Sequence, residues 1–433
     1  MKHAVLTPTA PIAMEPPPAP RPASLRNNFA WTFAGNVVYA ACQWGMLVVL
    51  AKFGDAEMVG RFSLALSITA PIFLFAGLNT RALQASDAKR DFTFSDYYSL
   101  RLIMVSLGLL ATFAWAGFGR LDAVMASVLI LIGVAKGIES IADVCYGALQ
   151  HQERMKPIAV SMILKGALSL AVLALGVMMS GLQAGAFGLA AAWGVLWLVY
   201  DLPQTADALE RGVRETVRPR SDRRTLLRLF RLAFPLGIVL FLLSLTTSLP
   251  RFFVERERGY AELGVFVALS YLMIAGTTVV NALGQSATPR LARHFAHGER
   301  REFFSLLTKL LGIGAFLGLG GLAIAAVIGR PLLTLLYRPE YGEHVELFLW
   351  LMAAAALQYL GSFLGYAITA ARIIAPQVWL FAAVCGATSI GCWLWTPIYG
   401  AIGAAWALLL AGVVQLVGSA LLLTIASAPG GEA

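Results

Sequence analysis

A chain of 433 residues that is 58% hydrophobic and only 13% charged is not an ordinary soluble protein, in which about 25% of residues carry charge. A mean hydropathy of +0.73, with 10 Trp and 24 Phe, makes lipid its main solvent. Twelve helices of ~20 residues with short loops would consume nearly the whole length, which excludes a sizeable soluble domain. The net charge of +9 reads as membrane topology, and nucleic-acid binding is excluded because no basic stretch sits on a soluble fold.

Residues 1–28 are rich in Pro and Ala (MEPPPAPRPAS) and lack the apolar core of a signal peptide, so a disordered cytoplasmic tail is expected. Twelve apolar stretches come next, near 30–52, 62–83, 98–118, 123–148, 157–179, 184–203, 232–252, 263–288, 304–328, 344–370, 376–397 and 401–425. In lipid every backbone group needs an internal partner, so the stretches are helices and the fold class is an all-α polytopic membrane protein. Residues 29–205 and 232–426 are expected as two six-helix lobes, joined by a basic cytoplasmic linker over 206–231 and succeeded by a cytoplasmic tail over 427–433.

Of the 33 Lys and Arg, 23 fall at the N-tail and alternate loops, Arg101, Arg154 and Arg372 among them, against 8 at the opposite side. Lys136 and Lys165 lie within helices. The bias predicts both termini inside. The linker ends in RRTLLRLFRLAFP, which sets Leu226, Leu229 and Phe230 on one face and Arg224, Arg228 and Arg231 on another. Such a segment is expected at the headgroup level, in contact with anionic lipid. The four cysteines lie in apolar stretches without metal-ligand spacing, so neither disulfide nor zinc is indicated. His294 and His297 read as loop residues rather than a metal site, and no cofactor is implied.

The two halves repeat. Gly54–Phe62 (GDAEMVGRF) comes after the first stretch and Gly259–Phe266 (GYAELGVF) after the seventh, matching at Gly, Ala, Glu, Gly and Phe with one gap. Tyr146–Pro157 corresponds to Tyr366–Pro376, and Gly185–Gly188 with Trp193 to Gly400–Gly403 with Trp406. Three collinear matches at similar offsets imply two copies of one six-helix unit. An even number of helices per copy gives parallel repeats, with a substrate path between them and alternating access by rocking.

These residues resemble the polysaccharide flippases of the multidrug/oligosaccharidyl-lipid/polysaccharide (MOP) exporter superfamily, the O-antigen flippase type. The resemblance rests on Gly54–Phe62 with Pro71 and Gly77–Leu78 after it, on Gln150–Lys156 (QHQERMK), on Leu249–Phe253 (LPRFF), on Gly259–Phe266 and on Pro289–Leu291. It spans roughly residues 25–425. It implies a MATE-like V-shaped bundle in a bacterial inner membrane. The implied substrate is an oligosaccharide on a polyprenyl pyrophosphate carrier, moved from the cytoplasmic to the periplasmic leaflet. Membrane lipids and other polysaccharide-assembly proteins are the implied partners, and nothing demands more than a monomer.

Charge within the spans marks the candidate site, because an ionised residue at mid-helix costs about 2.5–3.5 kcal/mol on insertion scales and turns to a cavity or a partner. Lys136, Glu139 and Asp143 share one face of the fourth stretch. Lys165 lies on the fifth, Arg251 comes directly after Pro250 on the seventh, and Arg81 sits near the inner end of the second. Read functionally, Lys136, Lys165, Arg251 and Arg81 meet phosphate and sugar, and Glu139 or Asp143 carries a coupling ion. Read structurally, Lys136 neutralises Glu139 or Asp143, and Arg81 snorkels to the interface. A cation-coupled multidrug exporter of the same superfamily would favour acid early in the chain, where the first two stretches have none. A glycan polymerase or ligase would need a large outer loop, and no nucleotide motif supports an ATPase. The chain is expected not to be an enzyme.

Overall fold

The computed structural model describes residues 25–87, 91–212, 218, 219, 222–371, 373 and 375–427. Of the expected tails over 1–28 and 427–433, residues 1–24 and 428–433 lie outside the described residues, with Lys89, Arg90, Arg214, Arg220 and Arg372, while 25–28 and 427 belong to helices. Among those described the chain is all helix and turn. The helices are α1 (Leu25–Phe53), α2 (Ala56–Gly77), α3 (Thr80–Ser86), α4 (Phe94–Phe118), α5 (Ala123–His151), α6 (Met155–Ser180) and α7 (Leu182–Leu196). A π-helical turn, Trp197–Asp201, leads into α8 (Leu202–Gly212), then α9 (Arg223–Ala296), α10 (Arg300–Leu336), α11 (Val345–Ala370), α12 (Ala375–Tyr399) and α13 (Ala401–Ser427).

Short polar signals between apolar runs set the boundaries. Asp55, Asp122 and Asp222 each accept a hydrogen bond from a first-turn backbone N–H at the start of α2, α5 and α9, and Thr93 with Asp96 forms a capping box on α4. The 74 residues of α9 would reach about 110 Å if straight, far beyond a ~30 Å hydrocarbon layer. The helix breaks at Gly259, whose φ of 81° lies in the left-handed region that an L side chain rarely enters. Eleven runs are long and apolar enough to cross a membrane, and separating the two limbs of α9 gives twelve. Phe118, Met179, Val327 and Trp379 are exposed on their outer faces, as lipid contact requires. The chain is a multi-pass membrane protein.

In the first half α1 packs on α6, α6 on α7, and α5 on α4 and α7; in the second, α11 lies against α10 and α13, and α12 against α13 and α9. The halves meet mainly where α2 runs along α9. There the two copies of the repeat cross each other. A Cβ on Gly60 would land on the backbone of Tyr260, and one on Gly264 on the backbone of Ala56. This reciprocity is what a two-fold relation between the copies produces, and it explains why both carry glycine at that step. Arg61 covers the Tyr260 ring at 4.9 Å, and Arg338 donates to the Lys52 carbonyl at 2.9 Å while Lys52 donates to the Leu335 carbonyl at 3.1 Å. The molecule is sealed between its halves at this end, hereafter the seam.

Two expectations change. The second span does not run unbroken to 83: Leu78 and Asn79 both adopt left-handed conformations (φ 49° and 51°) and redirect the chain into α3. The basic segment 223–235, its first part expected in the 206–231 linker, is the continuous first part of α9. Its apolar face packs on protein, with Leu229 buried and Leu226 and Phe230 half-buried in a cluster with Leu78, Phe94 and Tyr97.

The crossing yields a test. Gly264→Leu must force α2 and α9 apart, so a loss of about 1–3 kcal/mol is expected as a lowered unfolding midpoint in detergent. Gly312→Leu, where an added Cβ meets nothing within 4 Å, is expected to stay within about 0.5 kcal/mol. Equal effects of the two would show that the crossing is not tight.

Candidate functional site

One face of α5 organises the site. Lys136, Glu139, Asp143, Tyr146 and Gln150 recur every three or four residues and, with Ser140 beside Glu139, form a polar stripe along an otherwise apolar helix. Lys136 lies thirteen residues in from Ala123, roughly 20 Å along the axis and near mid-membrane. Gln150 lies at the end away from the seam. The stripe lines a cavity of about 660 Å³, completed by Tyr39 of α1, Arg81 of α3, Arg101 of α4, Lys165 of α6 and Leu240 of α9.

The charges fall into two clusters. In the deeper one, Glu139 accepts from Lys136 Nζ at 2.8 Å and from the Tyr39 hydroxyl at 2.8 Å, with Lys165 Nζ 4.0 Å away. Lys165 is only 3% exposed and lies 5.2 Å and 5.5 Å from the centres of the Tyr146 and Trp193 rings. Cation–π attraction thus compensates part of its lost hydration. In the shallower cluster, Asp143 stands between Arg81 at 3.1 Å and Arg101 at 3.5 Å. Arg81 also donates to Gln150 Oε1 at 3.1 Å. Arg101 donates to the Ser140 carbonyl and hydroxyl at 2.7 and 2.9 Å and to the Thr80 hydroxyl at 2.6 Å. The helix break at Leu78–Asn79 brings Thr80 and Arg81 into these positions. Four cations face two carboxylates.

Five of the six residues singled out by sequence, Arg81, Lys136, Glu139, Asp143 and Lys165, line this one cavity. Arg251 is not among its lining residues. It bridges α9 to α2 nearer the seam, donating to Ser67 Oγ at 3.2 Å. Arg101 corrects the sequence reading. Counted there among the cations of the cytoplasmic side, it is 2% exposed inside the helix bundle. Tyr39, Tyr146 and Gln150 were also missed, although the last two continue the same spacing along α5. His294 pairs with Glu299 at 2.6 Å, and no group of three metal-ligating side chains occurs among the described residues.

The sequence profile described as "Polysaccharide biosynthesis protein" matches residues 25–295, more than half of the chain. The chain belongs to that family. A curated relative, the capsular polysaccharide biosynthesis protein CapF of Staphylococcus aureus, is 27% identical over 398 residues, covering 90% of this chain and 97% of that protein. Among solved structures, the lipid II flippase MurJ in an inward closed conformation superposes with a TM-score of 0.72 at 11% identity, over 92% of this chain and 87% of that one. An inward-facing multidrug resistance MATE family transporter of the MOP superfamily gives 0.70 at 12% identity, over 91% and 97%. At these identities the likeness speaks for the fold alone, which this chain shares with both proteins.

Removing Arg101 leaves Thr80, Ser140 and Asp143 short of a buried partner. Arg101→Ala is expected to cost about 3–5 kcal/mol, seen as loss of folded, monodisperse protein. The half-exposed Arg154–Asp207 pair, 3.3 Å apart, makes the contrast: Arg154→Ala is expected to cost no more than about 1 kcal/mol.

Proposed function

We propose that the protein is a flippase for a lipid-linked oligosaccharide, binding the diphosphate of a polyprenyl carrier in the α5 cavity. It moves its cargo from the cytoplasmic to the periplasmic leaflet of a bacterial inner membrane. The observation that carries this reading is the charge of the cavity: four cations against two carboxylates, near mid-membrane, in a member of a polysaccharide biosynthesis family. Lys136 and Lys165 supply point charges for phosphate oxygens, and Arg81 a planar fork able to engage two at once. Glu139 and Asp143 hold these cations in place while the cavity is empty. Ion coupling through either carboxylate requires its cations to leave first, which an arriving diphosphate would bring about by competing for them.

Alternating access supplies the rest. The two lobes, 29–205 and 232–426, rock about the α2–α9 contact, and the Lys and Arg bias supports a seam on the periplasmic side with both termini in the cytoplasm. The cavity then faces the leaflet where the substrate is made. Arg251, held by Ser67 at the junction between the halves, is the cation next met by the diphosphate when the seam opens. A cationic drug would meet net positive charge in this cavity, which disfavours the exporter alternative.

The test is a deletion strain assayed for surface polysaccharide and for the leaflet that holds lipid-linked intermediates. Accumulation on the cytoplasmic side, reversed by the wild-type chain, is expected. Lys165→Met, which removes one charge-assisted contact of about 1.5–3 kcal/mol, is expected to weaken transport at least tenfold. Arg251→Ala is expected to bind substrate normally and export poorly. Normal polysaccharide with altered resistance to cationic drugs would sink the flippase reading.

A further inference from the structure

The π-helical turn between α7 and α8 contributes no lining residue to the cavity. Its one extra residue makes the Leu202 N–H donate to the Trp197 carbonyl, five residues back. Such turns make up well under 1% of residues and occur mostly at functional positions. This one swings Asp201 inward. The carboxyl is 2% exposed, its Oδ2 has no hydrogen-bond partner, and it makes no ion pair among the described residues. Every other carboxylate near the cavity is held by cations.

Asp201 stands directly behind the cavity wall. The Ser161 hydroxyl of α6 is near enough to act on its carboxyl and lies 2.7 Å from the Tyr146 hydroxyl. Tyr146 lines the cavity and presents its ring to Lys165. Ser161 and Tyr146 therefore stand between Asp201 and the deeper cation cluster. The titratable groups that face it are Lys165 from α6, Tyr146 and Cys145 from α5, and Tyr200 of its own turn. α7 contains no titratable residue. From α8, Thr205 donates to the Asp201 carbonyl at 2.8 Å, and Asp207 is engaged by Arg154.

We infer that Asp201 is a proton-binding site whose occupancy sets the charge presented to the anion cavity. A buried carboxylate with an unpaired oxygen is a costly species, whereas the carboxylic acid carries no charge and turns Oδ2 into an O–H. With Asp201 protonated, the four cations and two carboxylates of the cavity leave a charge of +2. When Asp201 ionises, its proton is taken up by solvent water, and the region falls to +1. One unit charge about 10 Å from a bound anion, at an effective dielectric of ~20, changes affinity on the order of tenfold. Linkage is reciprocal, so the anion and the proton strengthen each other's binding. The inference rests on reading the cavity as an anion site.

The test uses the full-length protein in nanodiscs with farnesyl diphosphate, a soluble polyprenyl diphosphate, binding being read from tryptophan fluorescence. Trp193, between Lys136 and Lys165, is the reporter. From about pH 5 to pH 8 the wild type is expected to lose roughly tenfold in affinity beyond what Asp201→Asn loses. The variant is expected to keep the low-pH affinity throughout, and the probe's own titration is common to both. Parallel pH profiles would overturn the inference while leaving the cavity reading intact. No binding to the wild type at any pH would overturn the cavity reading, and the inference with it. A second readout does not need the variant to bind. A protonated-carboxyl infrared band is expected in the wild type over this range, shifted in Ser161→Ala, and its absence would also overturn the inference.

Discussion

A charge in hydrocarbon must find a partner or a wet cavity, and that requirement on α5 governs the first half of the molecule. Its stripe of six polar residues cannot face lipid, so α1, α3, α4 and α6 close around it, each bringing a polar group. Tyr39 and Lys165 meet Glu139, while Arg81 and Arg101 meet Asp143. The clusters are graded by depth. At mid-membrane the cations are lysines backed by Trp193 and Tyr146, where ring faces replace water. Nearer the end away from the seam they are arginines, whose donors are shared among Ser140, Thr80, Gln150 and Asp143. The wide network at that end gives way to a compact, drier cluster at mid-membrane.

The seam imposes the complementary constraint. A crossing in which Gly60 and Gly264 each press on the other repeat's backbone tolerates no side chain at either position, yet it is held by few strong bonds. Arg61 over Tyr260 and the backbone contacts of Lys52 and Arg338 lie at its exposed rim, where each is worth little. A contact that is sterically tight, with its polar links at the rim, can close fully and still reopen. A cavity reaching away from the seam and a junction of this kind at the seam are the two elements that alternating access requires.

Much of this was legible in the sequence. Twelve spans emerge from hydropathy, and the glycine-bearing repeat at Gly54 and Gly259 implied the two-fold relation that the crossing realises. Lys136, Glu139 and Asp143 announce the site by spacing alone. The features that escaped did so for physical reasons. Arg101 sits seven residues from the start of α4, a position where snorkelling to water and pairing inside the protein look alike; only the folded structure shows that Ser140 and Thr80 claim it. The left-handed pair Leu78–Asn79 contains no glycine to signal a break, so α3 looked like the end of α2. The arginine-rich stretch before Pro235 reads as a linker, and its continuity with α9 depends on an apolar side that packs on Leu78, Phe94 and Tyr97.

Asp201 escaped for a different reason. It lies at the polar end of its span, where a carboxylate is ordinary, and a π-helical turn has no sequence signature. The extra residue rotates the next part of the helix by about 100°, one residue's share of a 3.6-residue turn. A carboxyl that regular helix geometry would direct elsewhere is thereby aimed behind Lys165. The cavity is thus asymmetric in its electrostatics. Glu139 and Asp143 are held by cations that line the cavity, whereas Asp201 lies behind the wall and faces it through the electrostatics of Lys165. Groups in direct contact with a ligand set which anion is accepted; a group one layer behind sets how tightly, and can do so without changing the shape of the site.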